Sequence, residues 1–189
     1  MNFNWFVVCF LAVVSAERLW EMRASRLAVR GEKRQGWSLP LFLLLHATIL
    51  VAVGVERFVW DWPVQPGLMA IGAVLVVVAL VLRLAAIRTL GKFWSLHVEI
   101  RQEHRLIQEG PYRYMRHPAY AAIILEFIGI PLVGNCYYAL LLAVVAYLPV
   151  LAVRMVGEER ALVEKFGEAY VNYQRQVFAV LPLRRLPRE

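Results

Sequence analysis

The residues whose types could carry chemistry are concentrated between positions 91 and 117, a stretch dense in His, Arg, Glu, Tyr and Trp. A connection of this length is usually either functional or disordered. Its apolar side chains, Trp94 and Tyr112 among them, would need covering, so we predict an ordered site. The stretch has no Gly-rich phosphate cradle, which argues against a P-loop or a dinucleotide-binding fingerprint. Cys9 and Cys136 each lie in or beside an apolar stretch, so no metal cluster or disulfide framework is indicated.

Glu126 adds an acidic group to an otherwise apolar stretch that begins at Pro118. It follows His117 by nine residues, which is roughly 13 Å along an α-helix. A carboxylate at that depth in a membrane is functional by default. We predict that Glu126 lines a binding pocket or, alternatively, pairs with a structural partner such as a tyrosine hydroxyl.

The elements that must position these residues are membrane helices. The chain has 189 residues, of which 60% are hydrophobic and only 19% are charged, a balance that a soluble domain of this size could hardly bury. Almost uncharged stretches cover residues 3–16, 38–55, 67–82 and 118–153. One span needs roughly 20 apolar residues, and the last stretch is long enough for two. We therefore predict an all-α, multi-pass membrane protein with about five transmembrane helices.

The basic residues are sorted by loop. Six lie between the first and second segments, six between the third and fourth, and seven at or after the end of the fifth, whereas the loop between the second and third carries only Arg57. The positive-inside rule then predicts an N-terminus outside, with the large polar regions and the C-terminal tail in the cytoplasm. Because the charges form no aromatic-interleaved patch, the net charge of +7 does not indicate nucleic acid. The aromatic residues expected at the outer boundary are Trp60, Trp62, Tyr137 and Tyr138.

The second half of the chain predicts a tight helical hairpin followed by an amphipathic helix. Pro118 can begin a helix, and Gly134–Asn135 predicts a turn into a segment that starts at Tyr137. Beyond Gly157, apolar residues recur at helical spacings and favour a helix lying on the membrane face or covering the loop. These are Leu162, Phe166, Ala169, Tyr173 and Val177. We interpret residues 1–189 as one membrane domain, with three transmembrane helices in residues 1–90 and the loop, hairpin and tail in residues 91–189.

Two motifs flank the predicted hairpin. The first, H-x-L-I-x-x-G-P-Y-x-Y-x-R-H-P-x-Y, runs from His104 to Tyr120, and the second, R-x-x-x-E-E-x-x-L-x-x-x-F-G-x-x-Y-x-x-Y, begins at Arg154. Together they resemble the isoprenylcysteine carboxyl methyltransferase family, over residues 90–182. The resemblance implies an integral membrane enzyme that takes S-adenosylmethionine from the cytoplasm. It also implies a lipophilic acceptor, either a small molecule or a prenylated protein, that arrives from the bilayer among membrane lipids.

Position by position, the resemblance implies cofactor binding at eight residues and substrate binding at Arg154. The cofactor set is His97, His104, Leu106, Ile107, Tyr112, Arg116, His117 and Glu158. In this interpretation Arg116 holds the cofactor carboxylate bidentately and Glu158 pairs with its ammonium group. Tyr112 offers an aromatic face to the cation, and backbone groups around Leu106 meet the adenine.

The chemistry expected at Arg154 depends on the acceptor. A carboxylate acceptor is ionised at neutral pH and needs no base, so Arg154 would orient it. A phenol or enol, as in a phenolic or pyrone lipid, would need a base such as Glu126 or His97. His97 stands where the eukaryotic enzymes have a glutamine. In either case the protein mainly aligns the reactants, which can lower a barrier by about 7 to 11 kcal/mol.

Three other functions are open at this point. A phospholipid N-methyltransferase shares the cofactor but needs a neutral amine. Some sterol reductases resemble this family in the C-terminal half, but they take NADPH and should need more basic residues for its 2′-phosphate. A non-catalytic lipid-binding or scaffold protein is the third alternative.

Several of the polar residues also have purely structural interpretations. We expect Arg83 to extend its charge to the membrane interface, as long basic side chains do near helix ends. We expect His46 to make a hydrogen bond between helices. Glu158 and Glu159 could act as first-turn acids that favour a helix dipole, and Arg116 with its neighbour could form a basic loop that binds lipid head groups.

Overall fold

A computed structural model describes residues 2–26, 32–33, 38–60, 62–94, 99–100 and 106–183. The helices are α1 (Phe3–Arg26), α2 (Ser38–Val59), α3 (Pro66–Leu90), α4 (Pro118–Gly134), α5 (Tyr137–Leu142), α6 (Leu148–Phe166) and α7 (Glu168–Gln176). A π-helical turn, Ala143–Tyr147, joins α5 to α6. Two-residue strands, β1 (Glu32–Lys33) and β2 (Glu99–Ile100), pair antiparallel. The predicted all-α class is confirmed.

Four helical segments are long and apolar enough to cross a membrane, and α4, with 17 residues, is a shorter apolar helix. The four segments are Phe3–Arg23, Leu39–Val59, Pro66–Leu90 and Tyr137–Phe166. Their outer faces expose large aliphatic side chains such as Leu44, Val51, Val81 and Val145. Broad apolar surfaces of this kind mark contact with a membrane or a partner. The prediction of a multi-pass membrane protein is confirmed.

Helices α3 and α4 are in direct backbone contact at one glycine pair. A Cβ atom on Gly72 would lie 2.7 Å from the carbonyl oxygen of Gly129, and a Cβ on Gly129 would lie 2.8 Å from that of Gly72. Small residues at membrane-helix crossings allow this close approach. The crossing holds α4, which carries Tyr120 and Glu126, against α3.

The predicted turn at Gly134–Asn135 is confirmed. Asn135 adopts a left-handed conformation with φ of 54°, which asparagine tolerates better than most residues. Its side-chain oxygen accepts a hydrogen bond from the backbone N–H of Gln65 at 2.8 Å. The side chain thus ties the α4–α5 turn to the start of α3.

Buried Glu56 of α2 caps the first turn of α5. Its carboxylate accepts hydrogen bonds from the backbone N–H groups of Tyr138 at 3.1 Å and Ala139 at 2.8 Å. Negative charge at a helix N-terminus is stabilising.

The four aromatic residues predicted at the outer membrane boundary lie together at one end of the molecule. The ring centroids of Trp60 and Tyr138 are 5.3 Å apart, and those of Trp62 and Tyr137 are 5.6 Å apart.

The predicted amphipathic helix is present as two pieces rather than one. Helix α6 continues without a break through Glu158 and Glu159 to Phe166, and the chain then bends at Gly167, where φ is 54°. The interpretation of the two glutamates as first-turn acids is therefore wrong, because they lie in the middle of α6. The apolar face is confirmed for four of its five predicted members: Leu162, Phe166, Tyr173 and Val177 pack together with Leu106, Val163 and Tyr170. The fifth, Ala169, is exposed, because Tyr170 takes the buried position after the bend.

Candidate functional site

The end of the first motif is fixed by the segment that follows α7. Met115 forms an isolated parallel bridge with Phe178. The backbone N–H of Arg116 donates to the carbonyl of Phe178 at 2.9 Å, and that of His117 donates to the carbonyl of Ala179 at 2.8 Å. These bonds tie the residues immediately before α4 to the segment after α7. His117 itself has φ of -127° and ψ of 64°, outside the extended region that a residue before a proline favours.

Arg116 and His117 both bind Glu159, a contact that the sequence interpretation missed. Oε1 of Glu159 lies 2.7 Å from Nε and from Nη2 of Arg116, and 3.0 Å from Nε2 of His117. Nη1 of Arg116 donates to the backbone carbonyls of Gln174, at 3.2 Å, and Val177. The guanidinium fork predicted to hold a cofactor carboxylate is thus occupied by a carboxylate of the protein itself.

The burial of Arg116 and His117 argues against the alternative that they form a basic loop that binds lipid head groups. The side chains of Arg116 and His117 are 8% and 3% exposed. A loop that binds lipid head groups would present its charges at the surface. The geometry instead favours an internal ion pair that fastens the motif to α6.

Tyr120 links the two remaining motif residues, Glu158 and Arg154. Its hydroxyl donates to Oε2 of Glu158 at 2.7 Å and accepts from Nε of Arg154 at 3.2 Å. Tyr120 and Arg154 are buried, and the Arg154 guanidinium carbon lies 5.4 Å from the centroid of the Phe42 ring. The structure therefore brings a predicted cofactor ligand and a predicted substrate ligand to one hydroxyl group. Tyr120 was visible in the motif as the tyrosine that follows H-P-x, but no role was predicted for it.

Tyr112, a predicted cofactor residue, lies within the electrostatic influence of Glu158. It is buried in the short 3-10 helix Gly110–Arg113, and its carbonyl accepts a hydrogen bond from the Tyr173 hydroxyl. Burial, and then the nearby Glu158 carboxylate, raise the pKa of Tyr112 well above its usual range. The phenol is therefore neutral at physiological pH, and its ring rather than a phenolate is what the site can offer.

The other predicted cofactor residues are placed only in part. Leu106 packs against the cluster of Tyr170, Tyr173 and Val177, and Ile107 beside it is half-buried. His97 and His104 lie outside the described residues. Buried Tyr170 adds a feature that was not predicted: its hydroxyl, on which the charges of Glu159 and Glu158 act, has no hydrogen-bond partner in the part of the chain that the structure describes.

Glu126 lies in a buried cluster of charges formed by α1, α3 and α4. Its Oε2 pairs with Nη2 of Arg18 and with Nη2 of Arg83. Arg18 also pairs with Glu21, and Arg83 also pairs with Glu17 at 3.2 Å. Of the two interpretations given for Glu126, the contacts match the structural partner, although the partners are guanidinium groups rather than a tyrosine. Its place in an acceptor pocket stays a prediction.

Two expectations about neighbouring residues are wrong. Arg83 does not extend to the interface: it is 2% exposed, because its charge is neutralised inside the protein. His46 makes no hydrogen bond between helices, because neither ring nitrogen has a partner among the residues described. Its ring instead packs edge-on against Phe127, with 4.7 Å between centroids.

This geometry defines a class of protein. Apolar helices form a multi-pass membrane protein, and polar residues of the two motifs converge where α4 begins and where α6 carries Arg154, Glu158 and Glu159. The sequence model of the isoprenylcysteine carboxyl methyltransferase (ICMT) family matches residues 71–164, which include these elements. The chain belongs to the isoprenylcysteine carboxyl methyltransferase family, whose members are membrane methyltransferases that use S-adenosylmethionine.

The chain is also similar to individual proteins, one uncharacterized and one named as a methyltransferase. The chain is 28% identical to the uncharacterized protein YpbQ of Bacillus subtilis over 160 residues, covering 82% of this chain and 95% of YpbQ. It is 28% identical to protein-S-isoprenylcysteine O-methyltransferase B of Arabidopsis thaliana over 165 residues, covering 82% of this chain and 83% of the plant protein.

The solved structure of the eukaryotic intramembrane Ras methyltransferase ICMT matches with a TM-score of 0.63 and 26% identity. The match covers 76% of this chain and 52% of the solved chain, so the present protein spans about half the length of that structure.

Proposed function

We propose that this protein is an S-adenosylmethionine-dependent O-methyltransferase that acts on a lipophilic acceptor from the bilayer. The observation that carries the proposal is the position of the Tyr120 hydroxyl between Glu158 and Arg154, at 2.7 and 3.2 Å. Glu158 is the proposed partner of the cofactor ammonium, and Arg154 is the proposed partner of the acceptor. A reaction that joins the two molecules requires their binding groups to be adjacent, which this arrangement provides.

The residues present suit the proposed cofactor. When bound, S-adenosylmethionine supplies a methyl group activated by its sulfonium sulfur. Glu158 pairs with the ammonium group, the Tyr112 ring faces the positive charge, and Leu106 and Ile107 offer half-buried apolar surface beside backbone donors and acceptors. The Tyr170 hydroxyl, which has no hydrogen-bond partner among the described residues, is a further hydrogen-bonding group on which the charge of Glu158 acts. His97 and His104 are retained as proposed ligands.

Arg116 and His117 are proposed to act through Glu159. Because Glu159 already binds both side chains, their role is to hold the motif in place beside α6. The cofactor carboxylate is then bound by other groups, or Arg116 exchanges Glu159 for it. The first of these is favoured, since exchange would take the Arg116 guanidinium away from a partly buried carboxylate and leave it only His117 and the Gln174 amide.

The acceptor is proposed to be an acid oriented by Arg154. A guanidinium group holds a carboxylate with paired hydrogen bonds, and an ionised acid needs no base for methylation. The name of the Arabidopsis relative, a protein-S-isoprenylcysteine O-methyltransferase, supports such an acceptor. A phenolic or enolic lipid would need a proton acceptor, and Glu126, with one oxygen bound by two arginines, is poorly suited to that role.

The proposed membrane orientation follows the distribution of basic residues. The N-terminus lies outside, and the C-terminal tail and the site face the cytoplasm. The soluble cofactor then reaches the site from the cytoplasm, while the acceptor enters laterally from the bilayer.

Isothermal titration of the detergent-solubilised protein with S-adenosylhomocysteine tests the cofactor assignment. We expect one binding site, weakened at least tenfold by Glu158→Gln and unchanged by Glu168→Gln, an exposed glutamate on α7. Absence of binding to well-folded protein would contradict the proposal and would favour a reductase or a non-catalytic lipid-binding protein.

Mass spectrometry of lipids after incubation with isotopically labelled S-adenosylmethionine tests the acceptor class. The expected product is a methyl ester. Labelled amine lipids without labelled acids would instead identify a phospholipid N-methyltransferase, and labelled aryl or enol ethers would identify phenolic or pyrone acceptors.

A further inference from the structure

Two buried polar side chains in the membrane region have no hydrogen-bond partner among the described residues. They are His46 of α2, which is 4% exposed, and Tyr147 in the π-helical turn, which is fully buried. The unpartnered atoms are both ring nitrogens of His46 and the hydroxyl of Tyr147. Most buried polar groups in proteins are hydrogen-bonded, so two in one place need an explanation.

The two side chains are neighbours of the same aromatic ring. The Phe127 ring lies 4.7 Å from the His46 ring, edge-on, and 4.0 Å from the Tyr147 ring, stacked. The charges of Arg18, Arg83 and Glu126 also act on both residues, so His46 and Tyr147 border the buried ion cluster. In hydrocarbon no water is present to satisfy such groups, which makes leaving them unpaired costly.

Phe127 lies about two helical turns from Tyr120, and Tyr147 lies about two helical turns from Arg154, the residues at the proposed reaction centre. On α4, Phe127 follows Tyr120 by seven residues, and Arg154 of α6 follows Tyr147 by seven. Seven residues correspond to a rise of about 10 Å along a helix. Phe42 lies between the two levels, with its ring 5.4 Å from the Arg154 guanidinium carbon and 5.3 Å from the Tyr147 ring. An aromatic surface therefore connects the proposed reaction centre with the unpartnered pair.

We propose that His46 and Tyr147 form a subsite for a hydrogen-bonding oxygen, a hydroxyl or a carbonyl, on the acceptor about 10 Å from the methylated group. This inference rests on the proposed function, because it extends the acceptor site. A neutral imidazole offers one donor and one acceptor, and a phenol offers both. A plain hydrocarbon chain at this depth would leave the His46 imidazole and the Tyr147 hydroxyl unpaired. The pair therefore selects an acceptor that carries a polar group at this depth.

Two matched fatty acids provide the probe. The thermal unfolding of the detergent-solubilised full-length protein is measured with S-adenosylhomocysteine and either 10-hydroxyoctadecanoic acid or octadecanoic acid at graded concentrations. For the wild type we expect the hydroxy acid to bind about tenfold more tightly, as one added hydrogen bond allows. In His46→Leu and in Tyr147→Phe the preference should fall to about twofold or less. Tyr138→Phe, at an exposed tyrosine in the first turn of α5, is the matched control and should keep the preference.

The unliganded variants provide a second readout. Removing an unpaired polar group should leave the melting temperature unchanged or raise it, whereas removing a group bonded to an internal water should lower it. The subsite would be overturned by any of three results. These are equal binding of the two acids by the wild type, a preference that survives both substitutions, and a lowered melting temperature in both unliganded variants. Calorimetric titration with S-adenosylhomocysteine alone tests the proposed function separately from the subsite. If the wild type does not bind S-adenosylhomocysteine, the proposed methyltransferase function is contradicted, whatever the fatty acids show.

Discussion

Tyr120 donates its hydroxyl hydrogen to Glu158 across 2.7 Å, and this bond joins the start of α4 to the middle of α6. The same oxygen accepts a hydrogen bond from Arg154. The hydroxyl therefore contacts both an acidic and a basic side chain, and it helps to fix the position of each.

Tyr120→Phe should weaken cofactor binding without unfolding the protein. The phenyl ring preserves the packing, but Glu158 loses its donor and Arg154 loses its acceptor. Hydrogen bonds to charged groups contribute about 1.5–3 kcal/mol, so the affinity for S-adenosylhomocysteine should fall roughly 10- to 100-fold. Isothermal titration measures the affinity, and an unchanged dissociation constant would show that Tyr120 does not position Glu158.

Glu159→Gln should loosen the first motif. The substitution removes the negative charge that Arg116 and His117 share, and we expect a loss of about 1–3 kcal/mol in stability together with weaker S-adenosylhomocysteine binding. Intrinsic fluorescence during thermal unfolding reports the stability. The exposed Glu168→Gln is the matched control, and equal behaviour of the two variants would contradict the positioning role of Glu159.

Glu126→Gln should be strongly destabilising. It leaves Arg18 and Arg83 buried with one carboxylate fewer, and breaking a buried ion pair in this way costs about 3–5 kcal/mol. The double variant Arg83→Met with Glu126→Met should be less destabilised than the sum of the two single changes, because it removes one charge of each sign. Arg175→Met, at an exposed arginine of α7, controls for arginine loss in general.

The melting temperatures of the wild type, Arg83→Met, Glu126→Met and the double variant form a double-mutant cycle, and Arg175→Met is its external control. Additive effects of Arg83→Met and Glu126→Met would mean that the two side chains do not interact. A stable Glu126→Gln protein that has lost only turnover would instead support the place of Glu126 in the acceptor pocket.

Gly72→Ala should separate α3 from α4. The added methyl group would meet the carbonyl oxygen of Gly129, which is backbone and cannot rotate away. Overpacking of this kind costs about 1–3 kcal/mol. Gly67→Ala, where a Cβ atom meets nothing within 4 Å, is the matched control and should not lower the melting temperature. Equal melting temperatures for the two variants would show that the helices can shift apart freely.

Sequence patterns predicted the helices and the turn between α4 and α5, because both depend on residues that are close together in the chain. Apolar stretches mark the membrane segments, and Gly134–Asn135 marks the turn that the structure contains. The spacing of Tyr173 and Val177 also predicted the face that packs on Leu106, although Gly167 divides the helix.

Partner choice between helices was not predictable from the same patterns. Arg18 was counted among the loop cations, yet it lies inside α1 and pairs with Glu126, 108 positions away. A charge count gives the sign of each residue but not the charge it faces after folding. Likewise, the motif shows two adjacent glutamates, but only the rotation of α6 determines that Glu159 binds Arg116 while Glu158 meets Tyr120.

The bridge between Met115 and Phe178 also sets the order of events during biosynthesis. The segment before α4 leaves the ribosome first, but its backbone partners, and the Val177 carbonyl that binds Arg116 61 positions earlier, follow only after α4 to α7 have been made. The motif therefore remains incomplete until the hairpin has been inserted into the membrane. On the proposed function, we expect an affinity column carrying immobilised S-adenosylhomocysteine to retain only correctly inserted molecules, so that ligand binding would report on membrane assembly.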